Sequence, residues 1–112
     1  MNEVTMSEEA FRILLKMHVR PGLEADFEKA WLAVGNVITE HPANLGQWLM
    51  RATDESSVYY IISDWVDEPQ FRRFELSDAH VAHRRQLHPF RSGGSMATMQ
   101  VLHGFPGRAG AR

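Results

Sequence analysis

The sequence predicts a single α+β domain whose strands and helices follow the order β-α-β-β-α-β. Three observations lead to this prediction. The chain has 112 residues, the length of one ordinary domain. Hydrophobic residues make up 44% of it, which is enough for one buried core. Segments with alternating apolar residues are interleaved with segments whose apolar residues recur at helical spacing.

The first half of the chain predicts one strand, one long helix and a break. Alternation over "FRILLKMHVR" predicts a strand with one fully apolar face, and the turn signal at Pro21 and Gly22 ends it. Pro42 then interrupts the helix that follows, of about five turns. The apolar residues of that helix are Leu23, Phe27, Trp31, Val34 and Ile38.

The second half predicts a hairpin, a capped helix and a last strand. "QWLMRA" and "VYYIISDWV" are strands joined by the polar loop "TDESS". Asp67 begins a helix as part of an Asp-x-x-Gln capping box with Gln70, and Ser77 is a second N-cap. Pro89 stops the helical segment. "RSGGS" is predicted to be a flexible turn before the last strand, "MATMQVLH".

This order predicts the ferredoxin-like fold, an antiparallel four-stranded sheet with both helices on one face. The domain is expected to span residues 11–104, between a polar arm of residues 1–10 and a flexible tail of residues 105–112. The uncovered face is expected to combine residues of the first and third strands. These residues are Arg12, Leu14, Lys16 and His18, with Tyr59, Ile61, Ser63 and Trp65. A face that carries exposed aromatic side chains is expected to be covered by a ligand, a second subunit or both.

Composition excludes several classes of function. The formal charge is −2, with 12 basic and 14 acidic residues, so there is no electrostatic footprint for nucleic acid. The absence of cysteine excludes disulfides, thiolate nucleophiles and cysteine-ligated zinc. Apolar runs are shorter than the roughly 20 residues that cross a bilayer, and the N-terminus lacks an apolar signal segment. We therefore expect a soluble cytoplasmic protein with no membrane partner.

The segment "SDAHVAHRRQLHPF" concentrates three histidines and two arginines. His80, His83 and His88 could converge on a metal, but they lack an acidic partner at helical spacing, and Arg84 and Arg85 place positive charge beside them. A second interpretation is a polar helix stripe in which His83 lies at the edge of the core. A third is that one or two of these groups reach the pocket, where a histidine acts as acid or base and an arginine holds an enolate.

The central segment "VYYIISDWVDEPQFRRFELSDAH" resembles the antibiotic biosynthesis monooxygenase family. The shared features are an alternating strand that ends in an acidic-Trp pair, a capped helix with an aromatic residue six positions after the Trp, and Ser-x-x-His. The first strand and helix also fit, so the resemblance extends from about Phe11 to His103. It implies a homodimer in which two sheets form a barrel. It also implies cofactor-independent oxygenation of an aromatic polyketide by molecular oxygen, typically of an anthrone to a quinone.

The resemblance also implies roles for individual residues. Trp65 matches a tryptophan that lines the family's pocket, and Arg85 matches an arginine on the second helix, although Arg84 is adjacent. Phe71 stands where anthrone oxygenases often have tyrosine. Ile61 stands where many members have an asparagine thought to bind the enolate or oxygen intermediate, and Ser63 is the nearest polar substitute.

Our hypothesis for the site is therefore an apolar pocket walled by Trp65, Tyr59 and Leu14. Arg85 or Arg12 would stabilise the oxyanion, and His80, His83 or His18 would be the base. No metal and no cofactor are expected. Two other functions stay open: a non-catalytic or cyclase-like module that binds polyketides, and a haem-degrading oxygenase in which His80 or His83 ligates iron.

Overall fold

The computed structural model describes residues 9–110, and it confirms the predicted β-α-β-β-α-β order. The strands are β1 (Phe11–Val19), β2 (Asn44–Arg51), β3 (Val58–Trp65) and β4 (Arg91–Gln100). The helices are α1 (Glu24–Thr39), α2 (Glu68–Glu75) and α3 (Asp78–Leu87). The strands form one antiparallel sheet in the order β2-β3-β1-β4, which is the ferredoxin-like topology. Most of the predicted N-terminal arm, residues 1–8, lies outside the described residues.

Two side-chain caps divide the second helical segment, as the sequence predicts. The Asp67 carboxylate accepts a hydrogen bond of 2.9 Å from the Gln70 backbone N–H at the start of α2. The Ser77 hydroxyl accepts one of 3.2 Å from the His80 backbone N–H at the start of α3. Because each cap starts a new helix, α3 takes its own direction, and it packs against α1.

The sheet has an inner face that packs against the helices and an outer face that no helix of the described chain covers. The predicted pairing of faces between the first and third strands is wrong. Phe11 is opposite Trp65 and Met17 is opposite Tyr59, so the set Tyr59, Ile61, Ser63 and Trp65 lies on the inner face. Directly opposite residues of an antiparallel pair project to the same side of the sheet. The prediction that Arg12, Leu14, Lys16 and His18 lie on the uncovered face is confirmed, because Phe11 and Met17 are buried on the other side.

An ion pair occupies the outer face between β1 and β3. The Arg12 guanidinium donates to both carboxylate oxygens of Asp64, at 2.7 and 2.8 Å. The hydrogen bond to Asp64 raises the pKa of Arg12. Asp64 is buried although it lies on this face, so the bidentate bond satisfies a carboxylate that has lost most of its water.

The segment "RSGGS" is not a turn, contrary to prediction, but the first half of β4. Gly93 and Gly94 pair with His18 and Met17 of β1. A Cβ atom on Gly94 would lie 2.5 Å from the Lys16 carbonyl oxygen, so the close approach of the two strands requires glycine there. β2 also starts earlier than predicted, at Asn44, with an irregularity between Asn44 and Gly46.

The core consists of two groups of buried side chains on the inner face. One surrounds Trp65, where Phe71 and Phe74 pack with ring centroids 5.4 and 5.0 Å away. The other surrounds Phe27 and Tyr59, whose ring centroids are 5.0 Å apart. Within residues 9–110, none of the helices has the length and apolarity that a membrane crossing requires.

Candidate functional site

A cavity of about 340 Å³ lies between the inner face of the sheet and the helices. Volumes of this size accommodate small organic ligands. Its wall is mainly apolar and includes Ile13, Ile61, Trp65, Phe71 and Leu87. The polar residues that line it are Lys16, Gln47, Ser63, Glu75, His80, His83, Arg84, His88, Arg91 and Ser95. An apolar volume with a few convergent polar groups is the usual composition of a ligand pocket.

Trp65 belongs both to the core and to the cavity wall. It is 1% exposed, and its indole N–H donates a 3.1 Å hydrogen bond to the Ser63 hydroxyl. The His41 ring packs against it edge-on, with centroids 5.5 Å apart. These contacts fix the plane of the indole, so the wall is rigid at this point.

His80 and His83 lie one turn apart on α3, and their rings stack with centroids 6.4 Å apart. Burial lowers the pKa of His80, and the charges of His83 and Arg84 lower it further, while Glu75 acts in the opposite direction. Burial also lowers the pKa of His83, and the backbone carbonyl of Val34 partly opposes this. Both rings are therefore neutral at pH 7. The Nδ1 atom of each is buried and finds no hydrogen-bond partner among residues 9–110.

Arg84 lines the cavity, whereas Arg85 does not. Both side chains are exposed, and they point about 100° apart around α3. The residue matched by the resemblance thus does not line the pocket, whereas its neighbour does.

The remaining predicted site residues divide between the two faces. The cavity brings together Trp65, His80, His83, Ile61, Ser63 and Phe71. Tyr59 is buried beside the cavity rather than in its wall, and its hydroxyl donates to the Glu28 carboxylate. Burial, followed by this hydrogen bond, raises the pKa of Tyr59 to about 12.

Three predicted residues, Arg12, Leu14 and His18, lie on the outer face, on the other side of the sheet from Trp65. Alternation along β1 forces this result, because each of them neighbours an inward residue. Assigning Arg12 to the oxyanion, His18 to the base or Leu14 to the wall is therefore wrong.

Sequence reasoning missed several polar residues of the cavity. They are Gln47 of β2, Glu75 of α2, and Arg91 and Ser95 of β4, and Trp31 of α1 also lines it. Gln47 carried a signal, because its strand position alternates with that of the exposed Trp48, which places a polar amide on the inner face. The part of the chain that the structure describes contains no group of three or more His, Cys, Asp or Glu residues that could hold a metal ion.

Comparison with known proteins relates the chain to one family. The model of the antibiotic biosynthesis monooxygenase family matches residues 10–86. Protein SchA from Streptomyces halstedii is 23% identical over 91 residues, which are 81% of this chain and 24% of SchA. The chain thus spans about a quarter of the length of this curated relative.

Solved structures share the fold at low sequence identity. SnoaB, a cofactor-independent oxygenase from Streptomyces nogalater, has a TM-score of 0.77 at 19% identity, covering 88% of this chain and 99% of SnoaB. A conserved protein from Methanosarcina mazei Go1 has a TM-score of 0.76 at 13% identity, covering 86% and 96% of the two chains. At these identities the likeness concerns the fold.

Proposed function

The chain belongs to the antibiotic biosynthesis monooxygenase family, and we propose that it oxidises an aromatic polyketide intermediate with molecular oxygen and no cofactor. The observation that carries the proposal is the cavity of about 340 Å³, whose wall is mainly apolar and which His80, His83 and Arg84 line from α3. An anthrone has the size and flatness for such a cavity. The proposed reaction converts its CH₂ group and O₂ into a quinone carbonyl and water.

The chemistry of an anthrone explains why protein groups are sufficient. Its CH₂ group lies between two aryl rings, opposite a carbonyl, so the carbanion formed by deprotonation is delocalised as an enolate. This electron-rich carbon reduces O₂ and forms a C–O bond, giving a peroxide. Loss of water from the peroxide leaves the new carbonyl. The protein binds the ring system, takes the proton and stabilises the enolate oxygen.

His83 is the proposed base, with His80 beside it. A base must be neutral before it accepts a proton, and burial lowers the pKa of His83. Because Nδ1 finds no partner in the described chain, we assign the nitrogen that faces the Val34 carbonyl as Nε2, carrying the proton. That tautomer leaves the Nδ1 lone pair available to substrate.

Arg84 is the proposed electrostatic partner of the enolate. It lines the cavity one residue after His83, so its guanidinium is the cation proposed to meet the charge formed during proton transfer. Removal of one such group typically lowers kcat by about 10²- to 10³-fold. Arg85 supplies a matched control, because it carries the same side chain on the same helix but does not line the cavity.

The test is oxygen uptake by metal-free protein supplied with an anthrone, compared with the background oxidation. Arg84→Ala is expected to lower kcat by about 10²-fold, His83→Asn by about 10²- to 10⁴-fold, and Arg85→Ala by less than about 3-fold. Uptake no faster than background would contradict the proposal. Equal losses in Arg84→Ala and Arg85→Ala would contradict the assigned role of Arg84.

A second candidate is a module that binds or cyclises polyketides without oxidising them. Ile61 and Phe71 favour it, because both are apolar and line the cavity at the positions where the family resemblance implies an asparagine and a tyrosine. The same experiment separates the two functions, since such a module would bind the anthrone without oxygen consumption above background.

We also propose that the outer face of the sheet is the contact surface of a homodimer. Trp48, Met50 and Met99 are 49%, 37% and 39% exposed on this face, beside Leu14 and Ile62. A contiguous apolar surface of this kind is rarely left in water. A second copy is the proposed occupant, because the family resemblance pairs two sheets.

Sedimentation tests the dimer. The wild type is expected at twice the 12.8 kDa chain mass at micromolar concentration. Trp48→Glu is expected to shift it to monomer, because it places a charge within the contact surface. Leu76→Glu, at a position that is 83% exposed at the end of α2, is the control and should leave the dimer intact. A monomeric wild type would contradict the proposal.

A further inference from the structure

Two polar atoms at one side of the cavity have no hydrogen-bond partner within residues 9–110. They are Nε1 of Trp31 and Oε1 of Gln47, and both are buried. A buried unpaired donor or acceptor is costly, and native chains retain few of them. Since both residues line the cavity, a ligand is the natural source of the missing partner.

The chemical identity of each atom is fixed. The Gln47 amide donates through Nε2 to the Gly35 carbonyl oxygen at 2.9 Å, so its other terminal atom is the oxygen, an acceptor. The indole Nε1–H of Trp31 can only donate. Trp31 and Gly35 are four residues apart on α1 and share a face of that helix, which places the indole on the same side of the cavity as the Gln47 amide.

We propose that Trp31 and Gln47 form a recognition site for a phenolic hydroxyl of the ligand. A hydroxyl is the smallest group that accepts from the indole N–H and donates to the amide oxygen at once. Both atoms are shielded in the unliganded chain, so the two side chains rotate slightly towards the cavity when the ligand enters. This inference rests on the proposed function, in that the ligand is a hydroxylated aromatic molecule.

The site selects against related oxygen substituents. A methyl ether can accept from Trp31 but cannot donate to Gln47, and the added methyl group occupies the space of the amide contact. A carbonyl group likewise accepts from Trp31 but has no hydrogen to donate to Gln47. Leaving the buried Gln47 acceptor unpaired is expected to weaken binding by about 5- to 150-fold relative to the free phenol.

Binding of two small probes, 1-naphthol and 1-methoxynaphthalene, tests the proposal by calorimetry. The wild type should bind the phenol at least about 10-fold more tightly than the ether. Trp31→Phe removes the donor, Gln47→Met removes the acceptor at similar length, and each should reduce this ratio to less than about 3-fold. Phe105→Leu changes an aromatic side chain that is 95% exposed, and it should keep the wild-type ratio.

The indole N–H of Trp31 gives an independent readout. Of the three tryptophan indole signals in a ¹⁵N–¹H spectrum, the one absent from Trp31→Phe should move downfield when 1-naphthol is added. A ratio near one in the wild type would overturn the proposal. So would a ratio that survives in both Trp31→Phe and Gln47→Met and collapses in His83→Asn, which would place the hydroxyl on the histidine. Oxygen uptake plays no part, so failure here is distinct from failure of the proposed oxygenation.

Discussion

Replacing Trp65 by phenylalanine separates its contribution to the core from its contribution to the cavity wall. The indole is 1% exposed, and its ring lies 5.0 Å from Phe74 and 5.4 Å from Phe71 by centroids. Phenylalanine keeps these contacts but loses the N–H bond to Ser63, worth about 1 kcal/mol, and leaves a small void that costs about as much again. We expect Trp65→Phe to lower the free energy of unfolding by about 2 kcal/mol, and Trp65→Ala by about 3–5 kcal/mol.

Urea unfolding measures this loss. With a slope of about 1–2 kcal/mol per molar, the midpoint of Trp65→Phe should fall by about 1–2 M, and a domain of typical stability stays folded. Anthrone binding, measured on the folded variant, should weaken several-fold because the void enlarges the pocket. Ser63→Ala should cost less in the Trp65→Phe background than in the wild type, because the two residues share one hydrogen bond.

The control for Trp65→Phe is Phe105→Leu. Phe105 is 95% exposed, so its replacement should change the free energy of unfolding by no more than about 0.5 kcal/mol. If the two variants lose equal stability, the burial of Trp65 does not stabilise the fold. If Trp65→Phe binds the anthrone as tightly as the wild type, Trp65 is not part of the wall that meets the ligand.

Two further predictions concern strand contact and pH. Gly94→Ala should lower the free energy of unfolding by about 1–3 kcal/mol, because the new methyl group meets the Lys16 carbonyl oxygen. A methyl group on Gly93 would have no other atom within 4 Å, so Gly93→Ala should change the free energy of unfolding by less than about 0.5 kcal/mol. Similar urea midpoints for the two variants would contradict the close approach of β4 to β1. Burial lowers the pKa of His80 and His83 in the folded chain, so the unfolded chain binds more protons as the pH falls below about 6.5. The stability that these histidines contribute is therefore complete above that pH and is lost below it. Replacing both by glutamine should make the urea midpoint depend less on pH between pH 7 and 5. An unchanged pH dependence would contradict their burial as neutral rings.

The order of elements and the helix caps could be predicted from the sequence because both depend on local chemistry. Asp67 and Ser77 each accept a backbone N–H within the next three residues, and no distant contact alters that. The turn predicted at Gly93 and Gly94 was wrong because the structure there depends on a contact with a distant strand. Glycine marks both turns and close strand contacts, and only the position of Lys16 across the sheet decides between them.

The face of β3 could not be predicted from alternation alone. Both of its faces are apolar, since Tyr60 and Ile62 alternate with Tyr59 and Ile61, so the pattern has no polar side to direct towards water. The charge of Asp64 distinguishes the two faces of β3. Its ion pair with Arg12 across the sheet places Asp64 on the outer face, so the neighbouring Trp65 lies on the inner face.

The division of the sheet into two faces separates ligand binding from association. Trp65, His83 and Arg84 line the cavity within one chain, and of the outer-face residues only the pair Lys16 and Ser95 also contributes to its lining within residues 9–110. The role of Arg12 therefore differs from the oxyanion stabilisation that the sequence suggested. Arg12 satisfies a buried carboxylate on the outer face, and neither Arg12 nor Asp64 lines the pocket. Burial in the mainly apolar cavity wall keeps the histidines neutral, and a neutral imidazole is the state that a base requires.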